Sequence, residues 1–211
     1  MEWLWELFHR IYDVESLVRV GGLMALIVIV FVETGLFVGF FLPGDSLLVT
    51  AGLFAASGHL ELWSIFLFVS LAAIVGDTVG YTIGAKAGPR LFTREDSLLF
   101  HKKHLITTKE FYDRYGGITI ILARFMPIVR TFAPAVAGVG RMQYRRFVFF
   151  NVVGGIGWVV SMASLGYFLG RSVPGIDRHI DVVIAVVIFL SLLPGIVKFA
   201  KERWKVRRTV P

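Results

Sequence analysis

Cysteine is absent from the 211-residue chain, which excludes disulfides, thiolate metal sites and a cysteine nucleophile. Charged residues are scarce at 18%, whereas 56% of the residues are hydrophobic and 19 are phenylalanine. The mean hydropathy of +0.73 is far above what a soluble domain of this length needs for one core. The composition therefore predicts an integral membrane protein of the all-α class.

The N-terminus lacks the positive charge and the small-residue cleavage site of a signal peptide. It carries Glu2 and Glu6 instead, so we expect nothing to be removed. Leucine and aromatic residues recur at helical spacing within residues 1–17, which indicates an amphipathic helix lying at the membrane interface. An ordinary helix packed on the rest of the protein fits this pattern equally well.

The net charge of +7 does not indicate nucleic acid as a partner, because the basic residues lie between apolar runs and not along one polar face. Residues 86–114 hold seven lysines and arginines, 141–146 hold three and 198–208 hold six, whereas 54–61 hold none. The positive-inside rule therefore predicts that the three basic segments, including the tail at 201–211, face the cytoplasm.

Two short sequence matches recur at one spacing. The pair Ala-Gly at 51–52 recurs at 137–138, and GYTIG at 80–84 recurs as GYFLG at 166–170, each 86 residues later. We interpret the common spacing as an internal duplication.

Each copy of the repeat, at about 33–84 and 119–170, joins a proline-broken apolar stretch to an intact one. LPGD at 42–45 interrupts the first copy, and Pro127 and Pro134 interrupt the second. Backbone freed by proline is tolerated at membrane depth only where protein or a water-filled cavity covers it, so we expect re-entrant hairpins. With one hairpin and one span per copy, the second copy is inverted relative to the first, as in many secondary transporters.

The domain organisation follows as one transmembrane unit over residues 18–200. A cytoplasmic linker at 85–118 separates the two copies, and a last span at about 182–200 follows the second copy. Intact helices are predicted at about 18–32, 62–84, 146–170 and 182–200, and the first of them could run on toward Phe41.

Four ionisable residues fall within or beside the hairpins, where charge is costly and usually marks a functional site. They are Glu33, Asp45, Arg124 and Arg130. Pro43 lies between the two acids and Pro127 between the two arginines, and a broken helix lets each pair converge. The structural alternative is two buried ion pairs that only pin the hairpins together.

Paired arginines suit a phosphate group, because guanidinium groups bind phosphate oxygens in bidentate fashion and stay charged at physiological pH. Glycines near these charges, including Gly44, would let a head group approach the backbone, although helix packing explains each of them as well. Thr131, next to Arg130, is a further accessory candidate.

Six motifs together resemble the DedA family of bacterial membrane proteins, also called the VTT group. They are Glu33, FLPGD (41–45), GDTVGYTIG (76–84), FYDRYGG (111–117), RFMPIVRTFAPAVAG (124–138) and FNVVGGIGW (150–158). The resemblance covers about residues 30–170. It implies lipid transport in the bacterial inner membrane, with undecaprenyl phosphate as the leading substrate and proton motive force as the driver. It also implies that Glu33 and Asp45 are the functional acids, and that Arg124 and Arg130 are the functional arginines.

Acids and arginines in one low-dielectric site suggest how protons and lipid are coupled. Ionised acids would pair with the arginines, whereas protonated acids would release the arginines to a lipid phosphate. We therefore expect proton entry from the outer face to load the lipid, and proton loss to the cytoplasm to release it into the inner leaflet.

Other polar residues carry weaker signals. Asp77 is either a second proton or head-group contact or a hydrogen-bonded structural aspartate, and Asn151 suits a hydrogen bond between helices. His101 and His104 are three residues apart and could face one way on a helix. An amphipathic surface helix touching anionic head groups explains them better than a metal site does.

Three other functions compete with lipid transport. An enzyme of lipid phosphate metabolism would need the same arginines, but SGH (57–59) and RSVPGIDRHID (171–181) do not complete a phosphatase signature. Scrambling of bulk phospholipids remains open, and a small-ion antiporter gives no reason for paired arginines. We expect a transporter and not an enzyme, with a membrane lipid and protons as partners and no cofactor or metal. A homodimer is compatible with the sequence.

Overall fold

The computed structural model describes residues 14–36, 44–91 and 116–172. Its helices are α1 (Val14–Gly35), α2 (Gly44–Ala56), α3 (Leu62–Ser64), α4 (Ser70–Leu91), α5 (Ile118–Arg124), α6 (Pro127–Val139) and α7 (Tyr144–Ser172). A π-helical stretch, Ile65–Val69, joins α3 to α4. These segments contain helices and no strand, which confirms the all-α class.

Several predictions fall outside these residues. They concern most of the N-terminal helix at 1–17, Pro43, the histidines His101 and His104, the last span at 182–200 and the basic tail at 201–211.

Two continuous helices are long and apolar enough to cross a membrane, which takes about 20 residues. Leu62–Ala87 has 26 residues and Tyr144–Ser172 has 29, and they correspond to the predicted spans at 62–84 and 146–170. Large apolar side chains such as Trp63 and Phe168 are exposed along them, as expected of surfaces that face lipid.

Helix α1 differs from the predicted intact span at 18–32. Gly22 interrupts it with φ 54° and ψ −145°, a conformation that glycine adopts without the steric cost of a side chain. The apolar part that follows, Gly21–Gly35, is shorter than a span. Because the helix continues to Gly35, Glu33 lies in its last turn and not in a separate hairpin arm.

The two broken stretches form the short helices that re-entrant hairpins require. Helices α2 and α6 have 13 residues each, which corresponds to about 20 Å of length, less than the hydrocarbon core. Pro127 occupies the first turn of α6, where its missing N–H is harmless, and Met126 before it is extended. The prediction that Pro134 interrupts the chain is wrong, because Pro134 lies inside α6. Pro134 removes the helical hydrogen bond that the carbonyl of Arg130 would otherwise accept.

The two copies exchange partners in the packing. Helix α2 of the first copy packs on α7 of the second, and α6 of the second copy packs on α4 of the first. This reciprocal arrangement is what an inverted repeat predicts.

Glycines make both crossings close. A Cβ atom at Gly52 would collide with the backbone of Ala163, and one at Gly138 would collide with the backbone of Tyr81. The absence of a side chain therefore lets each short helix touch the backbone of the span it packs against.

The spans contribute a glycine to each crossing as well. Gly166 meets the backbone of Val49 and Gly84 meets that of Ala135. These two span glycines are 82 residues apart, whereas Gly52 and Gly138 are 86 apart. The spans are therefore displaced by about one helical turn relative to the match of GYTIG with GYFLG.

Candidate functional site

Arg130, in the first turn of α6, contacts two carboxylates on two other helices. Its Nη1 lies 2.5 Å from Oδ1 of Asp45, in the first turn of α2, and its Nη2 pairs with Oε1 of Glu33. All three side chains are buried. The structure therefore brings together three of the four charged residues singled out in the sequence, at the point where the two broken stretches meet.

Trp158 of α7 completes this group. Its side chain is fully buried, and its Nε1–H donates a hydrogen bond of 2.8 Å to Oδ1 of Asp45. The Arg130 guanidinium carbon lies 4.9 Å from the centre of the Trp158 ring, within the range of a cation–π interaction. Sequence reasoning missed this residue, although a tryptophan in the glycine-rich FNVVGGIGW needs an acceptor for its indole N–H once it is buried.

Gly44 opens α2 and lies directly against the Glu33 carboxylate. A Cβ atom at this position would overlap the carboxylate oxygens, so the glycine is needed for the approach. The first turn of a helix favours a nearby negative charge, because its N–H groups are free and the helix dipole is positive there. The accessory candidate Gly44 thus has a defined role in seating Glu33.

Arg124, the last residue of α5, has a different carboxylate partner from the one expected. Its Nη2 pairs with Oδ2 of Asp77 on α4 and donates to Oδ1 of Asn151 on α7 at 2.8 Å. We expected both arginines to pair with Glu33 and Asp45, and this is wrong for Arg124. Helix α4 packs against both α1 and α6. This position brings Asp77 of α4 to Arg124.

Asn151 forms the predicted hydrogen bond between helices. Its Nδ2 donates to the carbonyl oxygen of Ile74 on α4 at 3.0 Å, while its Oδ1 accepts from Arg124. The amide therefore links α5, α4 and α7 at one point. Asp77, in turn, is an ion-pair partner of Arg124 and is buried.

Charge does not balance among the buried ionisable groups of the described residues. They are the carboxylates Glu33, Asp45 and Asp77 and the guanidinium groups Arg124 and Arg130, each at most 9% exposed. With all five ionised the group carries a net charge of −1, and an uncompensated buried charge is costly. One proton on a carboxylate makes the group neutral, and an added phosphate would require further neutralisation.

The remaining site candidates lie close in sequence to Arg130. Thr131 is buried, and Pro127 begins the helix that carries both residues. No group of three or more metal-ligating residues occurs within 14–36, 44–91 and 116–172.

Together, two helices long and apolar enough to cross a membrane and the two short helices α2 and α6 surround a buried charged group, which is typical of an integral membrane protein. The VTT domain family matches residues 42–168 of the chain. No solved structure matches it.

Curated relatives agree with the domain match. Protein DedA of Escherichia coli strain K12 is 45% identical over 180 residues, covering 84% of this chain and 82% of that protein. The uncharacterized membrane protein Rv0364 of Mycobacterium tuberculosis is 43% identical over 191 residues, covering 90% and 83%. Inner membrane protein YghB of Escherichia coli strain K12 is 34% identical over 164 residues, covering 78% and 73%. The chain belongs to the DedA family, whose members are membrane proteins associated with transport.

Proposed function

We propose that this protein carries a polyprenyl phosphate, such as undecaprenyl phosphate, from the outer to the inner leaflet of the bacterial inner membrane. Proton movement drives the step, which returns the carrier lipid for reuse. The observation that carries the proposal is the pair of buried arginines on the second hairpin, each in contact with a carboxylate that could exchange with a phosphate.

Spare donor capacity favours an anionic substrate. Nη1 of Arg124 and Nε of Arg130 are buried, and neither has a hydrogen-bond partner in the described part of the chain. A buried donor without an acceptor is costly, and phosphate oxygens are strong acceptors for guanidinium. A transporter for small cations would need the acids but would gain nothing from these donors.

Apolar surface next to the arginines favours a lipid over a free anion. Phe125 and Met126, between α5 and α6, are about half exposed at 48% and 51%, and Val129 and Phe132 are exposed on the first turns of α6. A polyprenyl chain could remain in the bilayer along this surface while its head group enters the protein. A soluble anion has no use for such a surface.

The excess of carboxylates over guanidinium groups supports coupling to protons. A phosphate adds negative charge to a group that already carries −1 with all five residues ionised. Protons on Glu33 and Asp45 release Arg130 and make room for that charge, and their loss restores the bridge and expels the lipid. Arginine stays protonated throughout, so the carboxylates carry all of the titration.

The orientation proposed for the chain places the C-terminus in the cytoplasm. The inner membrane location is supported by the relative named inner membrane protein YghB, and the sidedness by the basic segments at 86–114, 141–146 and 198–208. We propose that the protein acts as a transporter without enzymatic turnover of the lipid.

Reconstitution into liposomes tests this function. Purified protein is combined with labelled undecaprenyl phosphate, undecaprenyl pyrophosphate or phosphatidylglycerol, and passage between leaflets is recorded with and without a pH gradient. We expect selective passage of the monophosphate, faster with the outside acidic. Equal passage of all three lipids would indicate a scramblase, and release of inorganic phosphate would indicate an enzyme.

A further inference from the structure

Among the described residues, the guanidinium of Arg124 makes its ion pair and its hydrogen bond through one nitrogen. Nη2 takes both protein contacts, the ion pair with Asp77 and the hydrogen bond to Asn151. Nη1 is buried and has no partner within the described segments. One half of the guanidinium is thus fixed by protein, and the other half has no acceptor among residues 14–36, 44–91 and 116–172.

Gly155 of α7 allows the guanidinium to take this position. A Cβ atom at Gly155 would lie 2.6 Å from Nη1 of Arg124 and 3.0 Å from Cγ1 of Ile74. The first distance is well inside van der Waals contact, so any side chain at residue 155 would push the guanidinium away from the backbone of α7. Gly157, two residues later, meets nothing within 4 Å, which makes it a matched control.

The Arg124 site also differs from the Arg130 site in what its contacts depend on. Arg130 bridges two acids on different helices, so a proton on either acid weakens the bridge and leaves the face of the Trp158 ring as a neutral contact without a hydrogen-bond acceptor. Arg124 keeps a neutral partner, Asn151, which is itself anchored to the Ile74 carbonyl. The position of Arg124 therefore does not depend only on whether Asp77 is ionised.

We propose that Asp77, Asn151 and Gly155 form a cradle that fixes Arg124 through Nη2 and presents Nη1 to one oxygen of the lipid phosphate. This rests on the proposed function and assigns the two arginines different tasks. Arg130 exchanges between its acids and the substrate, whereas Arg124 stays in place as a preorganised phosphate contact. Asp77 is then a positioning residue and carries no coupled proton.

Transport kinetics of polyprenyl phosphate in liposomes test the cradle. Gly155→Ala should raise the lipid concentration for half-maximal transport by at least about tenfold, the effect of losing one charge-assisted hydrogen bond. Gly157→Ala should leave it unchanged. Adding Ile74→Ala to Gly155→Ala relieves the contact with Ile74 only, so it should not restore the affinity, and restoration would overturn the proposal.

Asp77→Asn provides the second measurement and decides the matter if Gly155→Ala does not fold. We expect weaker lipid affinity, because the asparagine amide contacts Nη2 without the negative charge that strengthens the contact with Asp77. The response to a pH gradient should be kept, because Asp77 carries no coupled proton in this proposal. Loss of the gradient response would make Asp77 a proton carrier and refute its positioning role. If the wild-type protein moves no phosphate lipid, the proposed function fails; if it does and Gly155→Ala matches it, only the cradle fails.

Discussion

Lysine substitution should separate the tasks of the two arginines, because their nitrogen atoms are used differently. Arg130 contacts Asp45 through Nη1 and Glu33 through Nη2, whereas Arg124 contacts both of its partners through Nη2. Lysine keeps the positive charge but has a single nitrogen. One ammonium can take both partners of Arg124, which share a single nitrogen. To contact both acids of Arg130, which lie on different nitrogens, it would need the carboxylates to move.

The expected stabilities follow from these contacts. In Arg130→Lys one buried carboxylate loses its cation. Breaking a buried pair costs about 3–5 kcal/mol, and partial relief by a proton on that carboxylate lowers the expected loss to about 2–4 kcal/mol. In Arg124→Lys the Asp77 pair can persist, so the expected loss in unfolding free energy is about 1 kcal/mol or less. Transport should nevertheless fall in both variants nearly as far as in the alanine variants. Lysine at residue 124 has no second nitrogen for the phosphate once Asp77 and Asn151 are contacted, and lysine at residue 130 loses the two-nitrogen contact with phosphate.

Unfolding in a detergent titration, paired with lipid uptake into liposomes, measures both effects on the same preparations. Gly157→Ala serves as the control, since a Cβ atom there meets nothing within 4 Å. Equal stability losses in Arg124→Lys and Arg130→Lys would refute the assignment of contacts. Wild-type transport by both lysine variants would refute the need for a guanidinium group at residues 124 and 130.

The remaining predictions concern the acids, the tryptophan and the helix crossings. Glu33→Gln and Asp45→Asn should abolish the dependence of lipid uptake on a pH gradient while keeping lipid binding, because each mimics the protonated acid; a wild-type gradient response would contradict the coupling. Trp158→Phe keeps a ring over Arg130 but removes the indole N–H that donates a hydrogen bond to Asp45. It should therefore lower the unfolding free energy by about 1–3 kcal/mol. Trp63→Phe, on an exposed surface, should change it by about 0.5 kcal/mol or less. Gly138→Ala forces the backbones of α6 and α4 apart, and a loss of about 1–3 kcal/mol is expected in the same titration.

Much of the fold could be predicted because its signals are local. Hydropathy and length predict the two spans, and proline with short apolar runs predicts the broken stretches. Pro134 was misjudged because a proline within a helix removes one hydrogen bond without necessarily ending the helix. The sequence places Glu33 at the start of the first broken stretch, whereas it lies in the last turn of α1, where Arg130 compensates its charge inside the protein.

The site could be predicted only in part, because partner choice depends on how the helices cross. A buried acid and a buried arginine must find partners, and this predicts that both acids and both arginines converge. The prediction holds for Glu33, Asp45 and Arg130. The partnership of Arg124 with Asp77 depends on the register of α4 against the second hairpin. The 86-residue spacing of the repeat does not predict that register, because the span glycines that make the contacts are displaced by about one helical turn from the matched motifs.

The coupling of lipid phosphate transport to protons is tested most directly by measuring whether lipid transport moves protons across the membrane. Liposomes containing the protein and an internal pH dye, without an imposed gradient, receive undecaprenyl phosphate in the outer leaflet. The interior should acidify as lipid reaches the inner leaflet. A Glu33→Gln and Asp45→Asn double variant and protein-free liposomes should show no such change. Lipid transfer by the wild-type protein with no acidification, or equal acidification by the double variant, would contradict proton coupling through these two acids.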